Sequence, residues 1–269
     1  MKPRILVTND DGIYSPGLRL LYEALRGLGE IHVVAPETPK SSSGLGLTLH
    51  KPLRISRLTM WGRSVYAISG TPSDIIHIAI NEITGRPSLV AAGVNIGDNT
   101  SVQVILSSGT VGAAAQASLI GIPAVAFSAA VRSAESLEQD KVLWSSIRLA
   151  AREIAGYVLE KGMPRGVDVL NVNFPEKITS RTEVRIVEAA RLRYREQIVR
   201  RIDPRGQPYY WVYGEPMTPE PGTDVYAVMV EGNIAVTPLA FNLNPTPPRH
   251  VEDLESLVER VEKALREAG

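Results

Sequence analysis

Residues 4–36 place the tightest constraint on the fold. "RILVTN" (4–9) is a short, continuously apolar strand. "GLRLLYEALRGLG" (17–29) repeats Leu18, Leu21, Leu25 and Leu28 on one helical face, and Gly27 and Gly29 can stop the helix. "EIHVVAP" (30–36) is a second strand, ended by Pro36. Strand, helix and strand in so little chain close as a βαβ unit, which makes a parallel pair. The pattern continues with strand "SLVAAGVN" (88–95), helix "TVGAAAQASLIG" (110–121) and strand "PAVAFSA" (123–129). A long helix over 135–162, with Ser136 and Gln139 as a capping box, and strand "DVLNVNFP" (168–175) complete it. The alternation predicts an α/β protein over residues 1–176, with a Rossmann-like, mostly parallel sheet and helices on both faces.

The character of the chain changes after residue 176. "VRIVEAARLRYREQIVRRIDPRGQPYYWVYGE" is rich in Arg and Tyr and reads as an extended β-hairpin arm turning at "DPRG". "TDVYAVMVEGNIAVTPL" (223–239) reads as a second hairpin around Glu231-Gly232-Asn233. "NPTPPR" is a linker. The last segment is an amphipathic helix with Val251, Leu254, Leu257, Val258, Val261 and Leu265 on one face. Such a stripe packs on its own chain or on a partner chain. Residues 177–269 are therefore expected to form an oligomerisation region that packs on the core.

Composition excludes several chemistries. With 29 basic and 29 acidic residues the formal net charge is zero, which argues against a general nucleic-acid or membrane-surface binder. Arg191, Arg193, Arg195, Arg200, Arg201 and Arg205 then belong to a solvated arm or subunit contact, and no specific nucleic-acid partner is expected. The absence of cysteine removes disulfides, thiolate metal sites and thiol nucleophiles. No apolar run reaches the roughly 20 residues of a membrane span, and the first residues carry no signal-peptide pattern, so a cytoplasmic protein is expected. Neither G-x-S-x-G nor HExxH occurs, and no histidine stands out as a general base.

Four segments could carry chemistry, and ligands of an open parallel sheet sit beyond the carboxyl ends of its strands. Asp10 and Asp11 follow the first strand directly. "DDG" is a natural turn, yet adjacent carboxylates also repel unless a cation joins them. Oxygen ligands without Cys or His suit a hard ion, Mg²⁺, Mn²⁺ or Ca²⁺. The loop "ETPKSSSGLG" (37–46) follows the second strand with hydroxyls and glycines but has no Walker pattern. Asn95 closes another strand, and Ser107, Ser108, Gly109 and Thr110 lead into a helix whose N-terminus offers free N–H groups. Those residues serve as ordinary caps or as a phosphate site. Asp74 opens an apolar helix after Thr71-Pro72, where dipole stabilisation accounts for it. A carboxylate-bound metal beside a helix-start anion site suggests phosphomonoester hydrolysis.

In order and spacing, "ILVTNDDGIYSPGL", "VVAPETPKSSSG", "SGTPSD", "GVNIGDN", "SSGTVGAAA", "DPRGQPYYW" and "GTDVYAV…GNIAVTPL" resemble the SurE family over nearly the whole chain. That family consists of metal-dependent 5′/3′-nucleotidases. The resemblance implies one divalent ion per subunit, Mg²⁺ or Mn²⁺, held by Asp10, Asp11, Ser41 and Asn95, with Asp10, Asp11 and Asn95 in the catalytic centre. It places Asn9, Asn99, Ser107, Ser108, Gly109 and Thr110 toward the substrate, a nucleoside monophosphate or similar phosphomonoester. It further implies attack by a metal-activated water and a homodimer or homotetramer assembled through the C-terminal arm. Many members have Tyr at the position of Ser107, an acidic pair after the Asn99 position, and His and Asp where Ala240-Phe241-Asn242 stands here. These departures leave the leaving-group acid and the substrate preference open. A non-catalytic nucleotide sensor on the same fold is the alternative.

Overall fold

The computed structural model describes residues 2–243 and 251–268. In chain order the elements are β1 (Arg4–Thr8), α1 (Pro16–Leu25), β2 (Glu30–Pro36), β3 (Ile55–Met60), β4 (Arg63–Ile68) and α2 (Pro72–Ile78), which runs on as a π-helical turn over Ala79–Thr84. Then follow β5 (Leu89–Ile96), α3 (Ser101–Ser107), α4 (Gly109–Leu119), β6 (Ala124–Ala129), α5 (Ala134–Gln139), α6 (Lys141–Lys161) and β7 (Val169–Phe174). The remainder is β8 (Val184–Ile186), β9 (Tyr194–Ile202), β10 (Pro208–Pro216), α7 (Asp224–Met229), β11 (Ile234–Leu239) and α8 (Val251–Ala268).

A nine-stranded sheet runs in the order β3-β4-β2-β1-β5-β6-β7-β11-β8. Strands β4, β2, β1, β5, β6 and β7 are mutually parallel, as the βαβ reading requires. Strand β3 is antiparallel to β4, and β11 is antiparallel to β7. The chain leaves β1 toward β2 on one side and returns to β5 on the other. Ligand crevices open at such a reversal, beyond the carboxyl ends of the strands.

Alternation along β1 sends Ile5 and Val7 to one face and Leu6 and Thr8 to the other. Ile5 and Val7 join one core with Leu18, Leu21 and Leu25 of α1 and Ile147, Ala151 and Ala155 of α6. Helices α2 and α4 cover the opposite face, where Ile75, Ile76 and the alanines of α4 are buried. Ser15 caps α1 by accepting from the Gly17 N–H, and Pro16 opens the helix where its missing N–H costs nothing. Phe127 is wholly buried and stacks on Phe174, with ring centroids 6.5 Å apart.

Three local expectations are corrected. The helix expected over 135–162 is two helices: Asp140 accepts from the N–H groups of Val142 and Leu143 and starts α6. Ser133, not Ser136, caps α5, accepting from the Ser136 N–H. The hairpin expected over 223–239 is α7 followed by β11, because Thr223 caps the Tyr226 N–H and Asp224 is buried. Beyond residue 176, strands β8 and β11 both join the main sheet.

The arm forms as read: β9 and β10 pair antiparallel from Tyr194↔Pro216 to Ile202↔Pro208. It carries Ile198, Ile202, Tyr210, Trp211 and Val212 exposed. Residues 1–239 form one compact unit and residues 240–269 another. The linker at 244–249, His250 and the side chains of Val251 and Leu254 lie outside the described residues. On α8, Leu257, Val258, Val261 and Leu265 are exposed. Among the described residues no helix is long and apolar enough to cross a membrane. Phe127→Ala should destabilise the chain by about 3–5 kcal/mol in chemical denaturation, since the ring sits in packed core on every side. A loss under about 1 kcal/mol would contradict that packing.

Candidate active site

Asp10 and Asp11 leave β1 at the switch point. Asn9 shapes their turn: its amide donates to the Gly12 carbonyl at 3.1 Å and its oxygen accepts from the Gly12 N–H at 3.2 Å. Asn9 is wholly buried and spends its side chain on this turn. The Lys40 N–H donates to the Asp10 carbonyl at 2.8 Å, which draws the serine loop over the strand end. That loop rests on α4, where a Cβ at Gly112 would meet the Gly44 carbonyl at 2.1 Å.

Asp11, Ser41, Ser42, Asn95, Ile96, Gly97, Asp98, Asn99, Val104, Ser107 and Ser108 line one cavity of about 200 Å³ with Asp10. Seven of the residues expected at the site, Asp10, Asp11, Ser41, Asn95, Asn99, Ser107 and Ser108, thus meet. Gly109 and Thr110 stand behind Asp10 instead. The Thr110 hydroxyl donates to Asp10 Oδ1. Backbone N–H groups of Gly109 and Thr110 also favour the ionised Asp10 carboxylate. The first-turn donors of α4 are therefore spent on Asp10 rather than left open to the cavity.

Burial pushes the Asp10 carboxyl above the ordinary carboxylate range, against the pull of Thr110 and the α4 N–H groups. Burial first, and then the neighbouring Asp10 charge, push Asp11 up from 3.8 to about 6, opposed by the Ile96 N–H, which donates to Asp11 Oδ2 at 3.0 Å. Among the described residues no Lys, Arg or His lines the cavity. The Asn95 amide nitrogen donates to the Gly97 carbonyl at 2.8 Å, which leaves the amide oxygen as the acceptor for a ligand. Two carboxylates that burial disfavours, plus neutral oxygens from Asn95 and Ser41, form a donor set that fits a hard divalent cation. A Cβ on Gly109 would stand 2.9 Å from Asp10 Oδ2 and 2.6 Å from Ser43 Oγ, a buried hydroxyl with no hydrogen-bond partner. Only glycine leaves room there.

Asn99 is held by parts the sequence reading did not single out. Its N–H donates to Asn173 Oδ1 at 2.7 Å, and its amide donates to Ser128 Oγ at 2.8 Å. Asn171 donates to the Asn99 carbonyl at 2.8 Å. Asn171 and Asn173 alternate along a strand that is otherwise apolar, and that period was the available signal. The pairing of Asp98 with Arg193 was also missed, because the two residues lie 95 positions apart.

A doubly wound α/β sheet with a polar, carboxylate-lined cavity at its reversal defines a ligand-binding enzyme class rather than a structural module. Residues 5–197 match the family model described as Survival protein SurE. The chain is 55% identical over 267 residues to the 5′-nucleotidase SurE of Hyperthermus butylicus, covering 98% of this chain and 95% of that one. It is 54% identical to the 5′-nucleotidase SurE of Thermofilum pendens, covering 97% and 99%. The crystal structure of SurE protein from Aquifex aeolicus superposes with a TM-score of 0.77 at 34% identity, covering 95% of this chain and 99% of that one. The chain belongs to the SurE family.

Two outcomes test this geometry. Asp11's folded-state value lies above its ordinary 3.8, so the stability its protonated form contributes is lost as pH rises through about 6. Below that pH a cation must displace the proton. Mn²⁺ affinity by calorimetry is expected to be at least about tenfold weaker at pH 5 than at pH 7, and equal affinities would contradict the assignment. Gly109→Ala should displace Asp10 and weaken Mn²⁺ binding by about tenfold or more, at a stability cost of about 1–3 kcal/mol. Unchanged Mn²⁺ affinity in that variant would show that Asp10 does not need the gap.

Proposed function

We propose that this chain is a metal-dependent 5′-nucleotidase that hydrolyses nucleoside monophosphates in the cavity at the sheet reversal. The observation that carries the reading is electrostatic. Carboxylates line the cavity without a basic side chain, beside neutral donors suited to phosphate, so an anionic substrate can enter only with a cation. Asp10, Asp11, Asn95 and Ser41 would hold that ion, Mg²⁺ or Mn²⁺, one per subunit. When bound it supplies Lewis acidity, polarising a phosphoryl oxygen and acidifying water.

The chain's own residues do the rest. Thr110 and the start of α4 fix Asp10 and favour its ionised form against the burial that disfavours it. Ser108 accepts from the Val111 N–H at 3.1 Å, which leaves its hydroxyl proton to donate to a phosphoryl oxygen. The Ser107 hydroxyl donates to the Val104 carbonyl at 3.0 Å, so it presents an acceptor to the cavity. Asn99, fixed by Ser128 and Asn173, has a second amide N–H for phosphate. These donors stabilise charge that grows on the phosphoryl oxygens. The names of the relatives support a nucleotidase over a non-catalytic sensor. The exposed apolar side chains on β9 and β10 suit pairing with a second copy of the chain, as homodimer or homotetramer, in the cytoplasm.

Phosphate release from a nucleoside monophosphate panel is expected with Mg²⁺ or Mn²⁺ and not with EDTA. Asp10→Asn should lower it at least about a hundredfold while the folded state persists. Near-normal turnover in Asp10→Asn would overturn the reading.

A further inference from the structure

Asp98 is a third carboxylate on the cavity wall, and the proposed cation accounts for only two. Left alone it would face a dianionic phosphoryl group across a cavity of about 200 Å³. It is not alone. Arg193, at the foot of the arm, reaches Asp98 Oδ1 with its guanidinium at 3.2 Å. The pair is largely withdrawn from water, with the two side chains 13% and 11% exposed. The Thr100 hydroxyl donates to the other carboxylate oxygen at 2.5 Å. Both Asp98 oxygens therefore have donors within the protein.

Arg193 is fixed from several sides. Its Nε donates to the Tyr194 hydroxyl at 2.9 Å, and its guanidinium lies 5.0 Å from that ring's centroid. Its backbone N–H donates to Gln103 Oε1 at 3.1 Å, and the Tyr194 N–H does so at 3.0 Å. The Ser101 N–H donates to the buried Asp224 at 2.8 Å, as does the Ala190 N–H at 2.9 Å. The cavity loop and the foot of the arm are thus one assembly, with Arg193 behind Asp98.

We propose that Arg193 is a positioning residue for substrate: it neutralises Asp98 and holds its carboxylate away from the phosphoryl group, so that the cavity admits an anion. This rests on the reading of the cavity as a phosphomonoester site. Its signature is a sign pattern. Arg193→Met exposes the Asp98 charge to substrate and should raise KM for AMP about tenfold, with kcat changed much less. Asp98→Asn removes that charge while Arg193 stays, and should lower KM. The double variant should return KM to near the wild-type value.

The experiment measures kcat and KM for AMP with Mn²⁺, and calorimetric Kd for inorganic phosphate with Mn²⁺, in the four full-length proteins. Thermal melts confirm that each is folded. A double variant as impaired as Arg193→Met would overturn the proposal, because removing the Asp98 charge would then have relieved nothing; a merely structural pair would in addition leave KM unchanged in Asp98→Asn. If Arg193→Met does not fold, Asp98→Asn decides alone: a lower KM and tighter phosphate support the proposal, and a higher or unchanged KM overturns it. Should the wild type release no phosphate with any divalent cation, the nucleotidase reading falls. The phosphate Kd values across the variants would still decide the role of Arg193.

Discussion

Two carboxylates placed side by side at the end of a buried strand cannot both stay ionised without help, and the site is built around supplying it. Burial pushes Asp10 and Asp11 toward protonation, and at Asp11 the neighbouring Asp10 charge adds to it. Helix α4 pushes back, aiming Thr110 and its first N–H groups at Asp10. That requires α4 to approach the strand end closely, which Gly109 permits, and to let the serine loop lie on it, which Gly112 permits. The small residues of α4 are thus a consequence of where Asp10 must sit. A helix start that reads as a phosphate cradle acts first on the carboxylate beneath it.

The same logic extends outward through Asp98. The cavity gathers negative charge and neutral donors, so its affinity for an anion depends on cations supplied from elsewhere. One is the proposed metal ion. The other is a guanidinium at the foot of the arm, which ties the cavity to a segment with no other evident part in the chemistry. Exposed aromatic and aliphatic side chains run along that arm.

Much of this was legible in the sequence because its periodicities were clean. Strands β1, β2, β5, β6 and β7 are apolar runs, and α1 repeats its leucines on one face. The carboxyl ends of β1 and β5 could be named as the site from topology alone. What escaped was local ambiguity or long range. "DVYAVM" is too short and too uniformly apolar to separate helix from strand, and its cap at Thr223 decided for the helix. Periodicity ran on across Asp140, where a single capping carboxylate divides two helices. Strands β3 and β4 were not read at all, because β3 is largely exposed and lacks alternation. The Asp98–Arg193 pair spans 95 positions, and nothing in either neighbourhood announces the other.

The central claim is that Asp10, Asp11, Ser41 and Asn95 together hold one divalent cation. Anomalous scattering from a crystal grown with Mn²⁺ tests it most directly. The account predicts a single strong peak per subunit between the two carboxylates, at about 2.0–2.3 Å from their oxygens and within reach of Asn95 Oδ1. A cavity without a peak, or a peak held by other residues, would contradict it.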